Sequence, residues 1–154
     1  MRGRDTVVVT EPGYPVPGRG AAFAGATVVE LPLAEAQGFL PDLDAVGPDV
    51  WDRTAVLWLN TPNNPTGVVA PPELLERAAG LAREHGFVLA SDEAYSELWF
   101  ERPPPSALEL DDWRNVVVFN TLSKRSSMTG FRSGFVAGDP ALIEALRRFR
   151  PKPA

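Results

Sequence analysis

The sequence predicts an α/β protein of three layers, α/β/α, with a mostly parallel sheet in the middle. Short β-branched and apolar runs alternate with helix-period segments along the chain. Most of these runs are continuously apolar, as strands covered on both faces need to be. Strand, helix, strand repeats close through right-handed crossovers, which set successive strands parallel.

The first strand is expected over 6–10, TVVVT, followed by a short helix over 18–24 and a second strand over 27–31, TVVEL. AVLWL over 55–59 is the third strand. The clearest helix follows at Pro72–His85, where Leu74, Leu75, Ala78, Leu81 and Ala82 share one face and Glu73, Glu76, Arg77, Arg83 and Glu84 fall mostly elsewhere. Pro71 and Pro72 suit its start, and Gly86 suits the position past its end, where φ is positive. VLAS over 88–91 and VVVFN over 116–120 are the next strands. The loop between them carries Arg102, Pro103, Pro104, Pro105 and Ser106, which continue neither helix nor ladder. FVA over 135–137 is the sixth strand, and a last helix over 140–148 is expected to turn Leu142, Ile143 and Leu146 inward. No internal repeat or low-complexity tract interrupts the chain, so 154 residues with 44% hydrophobic content are expected to build one domain around one core.

A net charge of −5 opposes binding to a phosphate backbone, and no nucleic-acid partner is expected. No apolar stretch approaches the roughly 18 residues of a membrane span, and no leader with a cleavage site opens the chain, so the cytoplasm is the expected compartment. Without cysteine there is no disulfide framework and no thiolate metal site. The single histidine, His85, ends the clearest helix with no ligand or nucleophile pattern around it. A solvated helix end is expected there, and no metal site.

The chemistry concentrates in TLSKRSSMTGFRSGF over 121–135, where Lys124 stands between a hydroxyl, Ser123, and an arginine, Arg132. An amine so placed can hold a phosphorylated aldehyde as a Schiff base while the hydroxyl and guanidinium take the phosphate, which is pyridoxal 5'-phosphate chemistry. A lone lysine is more often a solvated charge. LNTPNNPTG over 59–67 and ASDEAY over 90–95 change the balance, because each ends an apolar run, and ligands of open parallel sheets sit beyond the carboxyl ends of the strands. All three stretches can meet at one crevice.

In this order and spacing, the three stretches resemble the fold type I pyridoxal-phosphate enzymes, specifically the class I/II aminotransferases, whose large domain carries NPxNPTG, then DExY, then SLSKxxxxxGxRxG. The resemblance runs from about Asp5 to the final helix and corresponds to the middle of a family member. SDEAYSELWF and SKRSSMTGFRSGFVAGDP are most similar to the N-succinyldiaminopimelate aminotransferase branch. It implies the central part of the cofactor-binding large domain, with an N-terminal segment and a smaller C-terminal domain lying outside this chain. Met1, Arg2, Gly3 and Arg4 lead almost directly into the apolar run over 6–9 and the tail over 150–154 simply stops, so the chain is expected to be truncated at both ends.

The resemblance assigns Lys124 as the catalytic residue that holds the cofactor. Asn64 would donate its amide to the cofactor phenolate oxygen, with Pro62 and Pro65 fixing the loop that aims it. Asp92 would pair with the protonated pyridine nitrogen and keep the ring an electron sink. Tyr95 would donate its hydroxyl to the phenolate, and Tyr14, in EPGYP, aligns with an aromatic that lies over the ring. Ser123, Arg132 and Thr121 would bind the phosphate. Gly130 and Gly134 would permit tight backbone geometry around Arg132. Each has a plain structural reading as well: an Asn-Pro turn at Asn64, a cap or turn at Asp92, a core-edge ring at Tyr95, a turn at Tyr14 and bends at the glycines. Glu93 receives no cofactor contact and is expected to support the site or face solvent.

The implied reaction is amino-group transfer between an amino acid and a 2-oxo acid, with the freed Lys124 amine moving the substrate Cα proton. For the branch named, the pair would be N-succinyl-diaminopimelate with 2-oxoglutarate and glutamate, in lysine biosynthesis. The resemblance also implies a homodimer in which the neighbouring subunit supplies a tyrosine. The family's N-terminal glycine loop and C-terminal-domain arginine find no counterpart here, so this chain alone is expected to bind the cofactor weakly and turn over slowly or not at all. Two other readings stay open: a pyridoxal-phosphate lyase using the same Lys124, Asp92 and Arg132, and a non-catalytic ligand-sensing domain, for which no helix-turn-helix or basic face appears.

Overall fold

The computed structural model describes residues 3–149; Met1, Arg2 and the tail over 150–154 lie outside the described residues. One six-stranded sheet forms the middle layer: β1 Thr6–Glu11, β2 Thr27–Pro32, β3 Thr54–Asn60, β4 Val88–Asp92, β5 Val116–Thr121 and β6 Gly134–Gly138. Their spatial order is β2-β1-β3-β4-β5-β6. β1 to β5 are parallel, and β6 closes the edge antiparallel to β5. The chain runs outward from β1 to β2 and then returns to β3 on the other side of β1, so a switch point lies between β1 and β3. Crevices at such points, beyond the carboxyl ends of the strands, are where open parallel sheets bind ligands.

The two sheet faces are covered by different helices, which makes the three layers. Val8, Leu57, Leu59, Leu89, Val116 and Val118 belong to one buried cluster with Trp51 of α2 (Pro48–Arg53) and Ala78 and Ala82 of α3 (Pro72–His85). Trp51 stacks on Phe87 at 5.2 Å and 20° between planes. On the other face α1 (Val16–Phe23) crosses β1 and β2, with Gly18 against Val9 and Val28. Trp58 stacks on Phe119 at 5.2 Å. Helix α3 ends as expected, with Gly86 at φ 72° just past His85. Two short helices remain, α4 Leu122–Arg125 and α5 Pro140–Phe149.

The structure departs from the sequence reading in small ways with clear causes. Strands β4 and β5 run one residue further than their apolar runs, because the ladder continues there: Asp92 pairs with Asn60, and Thr121 with Gly134. Helix α1 starts at Val16, with a proline in its first turn, rather than at Gly18. Helix α2 escapes a periodicity reading because six residues bury only Trp51. Helix α5 does not turn Leu146 inward; that side chain is 40% exposed, since α5 leans chiefly on the edge strand β6. His85 is not solvated either. Its Nδ1 lies 2.7 Å from the Asp52 carboxylate of α2, and its backbone carbonyl accepts from Arg4. Among the described residues no helix is long and apolar enough to cross a membrane.

Phe87 is fully buried between α2 and the sheet, whereas Phe23 is 91% exposed. Phe87→Ala should lower the unfolding free energy by about 3–5 kcal/mol in urea melts, and Phe23→Ala by less than about 0.5 kcal/mol.

Candidate functional site

Four segments that follow the carboxyl ends of β1, β3, β4 and β5 enclose one open cleft of about 340 Å³, within the size range of small-molecule sites. Its walls are Tyr14, Asn60, Asn64, Asp92, Ala94, Tyr95, Thr121, Ser123, Lys124, Thr129 and Arg132. All eight residues singled out in the sequence line it, though they span more than a hundred positions of chain. Parallel strands bring them together by ending level with one another.

At the sheet end of the cleft stands Asp92, the last residue of β4. Burial pushes its carboxyl above the usual carboxylate range, against the pull of the Ala94 N–H, which donates to Oδ1 at 3.3 Å. The Trp58 indole also pulls it down, but too loosely to form a hydrogen bond, and its Nε1 is otherwise without an acceptor. Among the described residues no cation pairs with Asp92. A half-buried carboxylate facing a cleft without a counter-charge is suited to a ligand that carries a proton on a ring nitrogen.

The opposite end is built from hydroxyls and cations. Thr121 caps α4, its Oγ1 accepting from Ser123 N at 3.1 Å and donating to Ser133 O at 3.3 Å. Lys124 sits on α4 with Nζ 5.5 Å from the centre of the Tyr95 ring, so the amine lies over the ring face beside the cleft. Arg132 holds a left-handed backbone, φ 51° and ψ 39°, where a non-glycine residue costs about 1–2 kcal/mol. Its Nη1 donates only to Thr129 O at 3.1 Å, and among the described residues no carboxylate pairs with it. This end fits a phosphate, and the amine, phenol and carboxamide between the ends fit an aldehyde and a phenolate. The residues present therefore fit pyridoxal phosphate by charge, order and cleft size. No group of acidic or histidine side chains among the described residues could hold a metal.

The glycines beside Arg132 divide. A Cβ on Gly134 would meet Asn120 O at 2.6 Å, so β6 can approach β5 only with glycine there. Gly130 has open space around it and meets no such need. Glu93 does not face solvent. Its carboxylate is buried and accepts from Ser91 Oγ at 3.0 Å, Ser106 Oγ at 2.6 Å and Ala107 N at 2.8 Å, which ties the proline-rich loop to the end of β4. Asn60 and Thr129 were not anticipated as wall residues. Asn60 ends an apolar run and reads as the last residue of a strand; only its partners across the sheet bring it into the cleft.

Comparison with known proteins gives consistent results. The family model for aminotransferase class I and II matches residues 1–152. A curated relative, the LL-diaminopimelate aminotransferase of Desulforudis audaxviator, is 43% identical over 148 residues, covering 95% of this chain and 38% of the relative. The substrate-bound BacF structure from Bacillus subtilis superposes with a TM-score of 0.91 at 36% identity, covering 97% of this chain and 38% of that one. A Thermus thermophilus protein described as "probable N-succinyldiaminopimelate aminotransferase" superposes with a TM-score of 0.88 at 38% identity, over 96% of this chain and 40% of its own. The chain thus spans about 38% of the length of the curated relatives it matches.

The raised carboxyl of Asp92 makes a stability prediction. Its contribution to folding is fully present below the unfolded carboxylate range and is lost as pH rises through the higher folded value, so at neutral pH the charged group disfavours the fold. Asp92→Asn keeps an acceptor for Ala94 N and removes the charge. Calorimetry should show Tm raised by about 2–4 °C at pH 7 and unchanged in acid.

Proposed function

The chain belongs to the class I and II aminotransferase family, and from that premise we propose that it forms the central part of a pyridoxal-phosphate site that transfers an amino group between an amino acid and a 2-oxo acid. The observation that carries this reading is the meeting of an uncompensated carboxylate, an amine and an unpaired guanidinium in one cleft at the carboxyl ends of parallel strands. The remainder of a relative's length would supply the N-terminal segment and the small domain.

Pyridoxal phosphate, when bound, supplies an aldehyde that condenses with amines and a ring that accepts the electron pair left at a substrate Cα. Lys124 Nζ would hold that aldehyde and, when free, would move the proton at the substrate Cα. Asp92, which has no cation partner among the described residues, would stand as the counter-charge that keeps a proton on the ring nitrogen. Asn64 Nδ2 and the Tyr95 hydroxyl would donate to the ring oxygen, and Tyr14 would offer its face to the ring. Arg132, Ser123 and Thr121 would bind the phosphate and hold the far end still. Because Lys124 is exposed, its amine meets water until substrate and the rest of the protein cover it.

The amino donor is proposed to be of the diaminopimelate class, in keeping with the names of the relative from Desulforudis audaxviator and the Thermus thermophilus structure. The N-succinylated form, which the wording around Asp92 and Lys124 suggests, and the free LL-form differ at one amine and can be compared directly. Substrate selection then rests on residues outside this chain as well as within it.

Titration with pyridoxal phosphate should give a visible absorbance band that Lys124→Ala abolishes, while Arg132→Ala weakens binding by about tenfold or more. With 2-oxoglutarate and either diaminopimelate, glutamate release should be far below that of a full-length relative. A band that survives in Lys124→Ala would contradict the assignment.

A further inference from the structure

Two asparagines that the proposed chemistry leaves unused occupy matching places on either side of β4. Asn60 is the last residue of β3, and Asn120 is the next-to-last of β5. Asn60 Nδ2 donates to Asp92 O at 2.9 Å, and its Oδ1 accepts from Asn64 N at 2.7 Å. Asn120 Nδ2 donates to Glu93 O at 3.1 Å and to Ser96 Oγ at 3.0 Å, and its Oδ1 accepts from Thr121 N at 2.7 Å. Each carboxamide therefore grips a main-chain carbonyl of the DEAY turn with one atom and a main-chain N–H of a cleft segment with the other.

We propose that Asn60 and Asn120 are positioning residues, a pair of clasps that lock the Asn64 loop and the Thr121–Lys124 segment to the end of β4. The proposal rests on the cofactor site inferred above. Only a side chain with both a donor and an acceptor at its tip can bridge a carbonyl and an N–H, which a carboxylate or an aliphatic chain cannot. The grips fall one residue apart, at Asp92 O and Glu93 O, so they hold the turn from both neighbouring strands. What they fix is the separation of three groups with tasks: the Asp92 carboxylate, the Asn64 amide and the start of the helix that carries Lys124. A small loss of placement at such groups has a large effect on binding and rate.

The test uses the whole chain with Asn60→Ala, Asn120→Ala and Asn60→Asp, read in two ways. Amide hydrogen exchange in the free protein should quicken roughly three- to tenfold at Asn64 in Asn60→Ala and at Thr121 in Asn120→Ala, with Leu57, Leu89 and Val118 unchanged. Affinity for pyridoxal phosphate should fall by about tenfold in each alanine variant. Asn60→Asp, which keeps the acceptor and loses the donor, should leave Asn64 protected while still weakening the cofactor. Unchanged exchange at both amides would overturn the clasps, as would a uniform loss of protection with unaltered cofactor affinity, the mark of a merely structural role. If the unsubstituted chain fails to bind pyridoxal phosphate, the cofactor reading fails, and the exchange measurement still decides whether the clasps exist.

Discussion

The parallel register at the ends of β3, β4 and β5 is the constraint on which the rest depends. Asn60 lies level with Asp92, and Asp92 level with Phe119, so three strands deliver their following loops at one height. Slipping β4 by one residue would turn Asp92 away and bring a neighbour to the cleft, because side chains alternate faces along a strand. Core packing opposes that slip, since it would take Leu89 out of its buried cluster with Leu57 and Val118 and put the smaller Ala90 in its place. Core packing thus sets the position of a carboxylate that contributes nothing to the core.

Adjacent carboxylates illustrate how one turn serves two ends. Asp92 and Glu93 are both pushed upward by burial, yet Glu93 is met by two hydroxyls and a backbone N–H while Asp92 has one N–H and an open cleft. The satisfied one anchors the proline-rich loop. The unsatisfied one is left with a charge that only an incoming group can answer, which is how functional sites commonly depart from the rules of stable packing. Arg132 repeats this at the other end, with a strained backbone and, among the described residues, no carboxylate partner.

Much of this was legible in the sequence because buried parallel strands write themselves as apolar runs and because Asn64, Asp92 and Lys124 follow the ends of such runs. The helix at Pro72–His85 was readable to its boundaries, from a proline start, a periodic face and a glycine stop. The roles of Asn60, Asn120 and Glu93 were not, since each depends on which backbone atoms of a distant segment come within 3.1 Å, and spacing along the chain carries no such information. The same holds for His85, whose partner Asp52 arrives from a helix too short to predict. The outward side of α5 was misread because a strongly one-sided helix does not say whether a layer exists to cover it.

The chain has two lysines, Lys124 in the cleft and Lys152 in the tail, so the central claim can be put to a direct measurement. Borohydride reduction after addition of pyridoxal phosphate, followed by peptide mass mapping, would locate the covalent attachment. The account predicts a label confined to Lys124 and diminished when excess inorganic phosphate is present before reduction. A label shared between Lys124 and Lys152, or none at all, would contradict a cleft built to hold this cofactor.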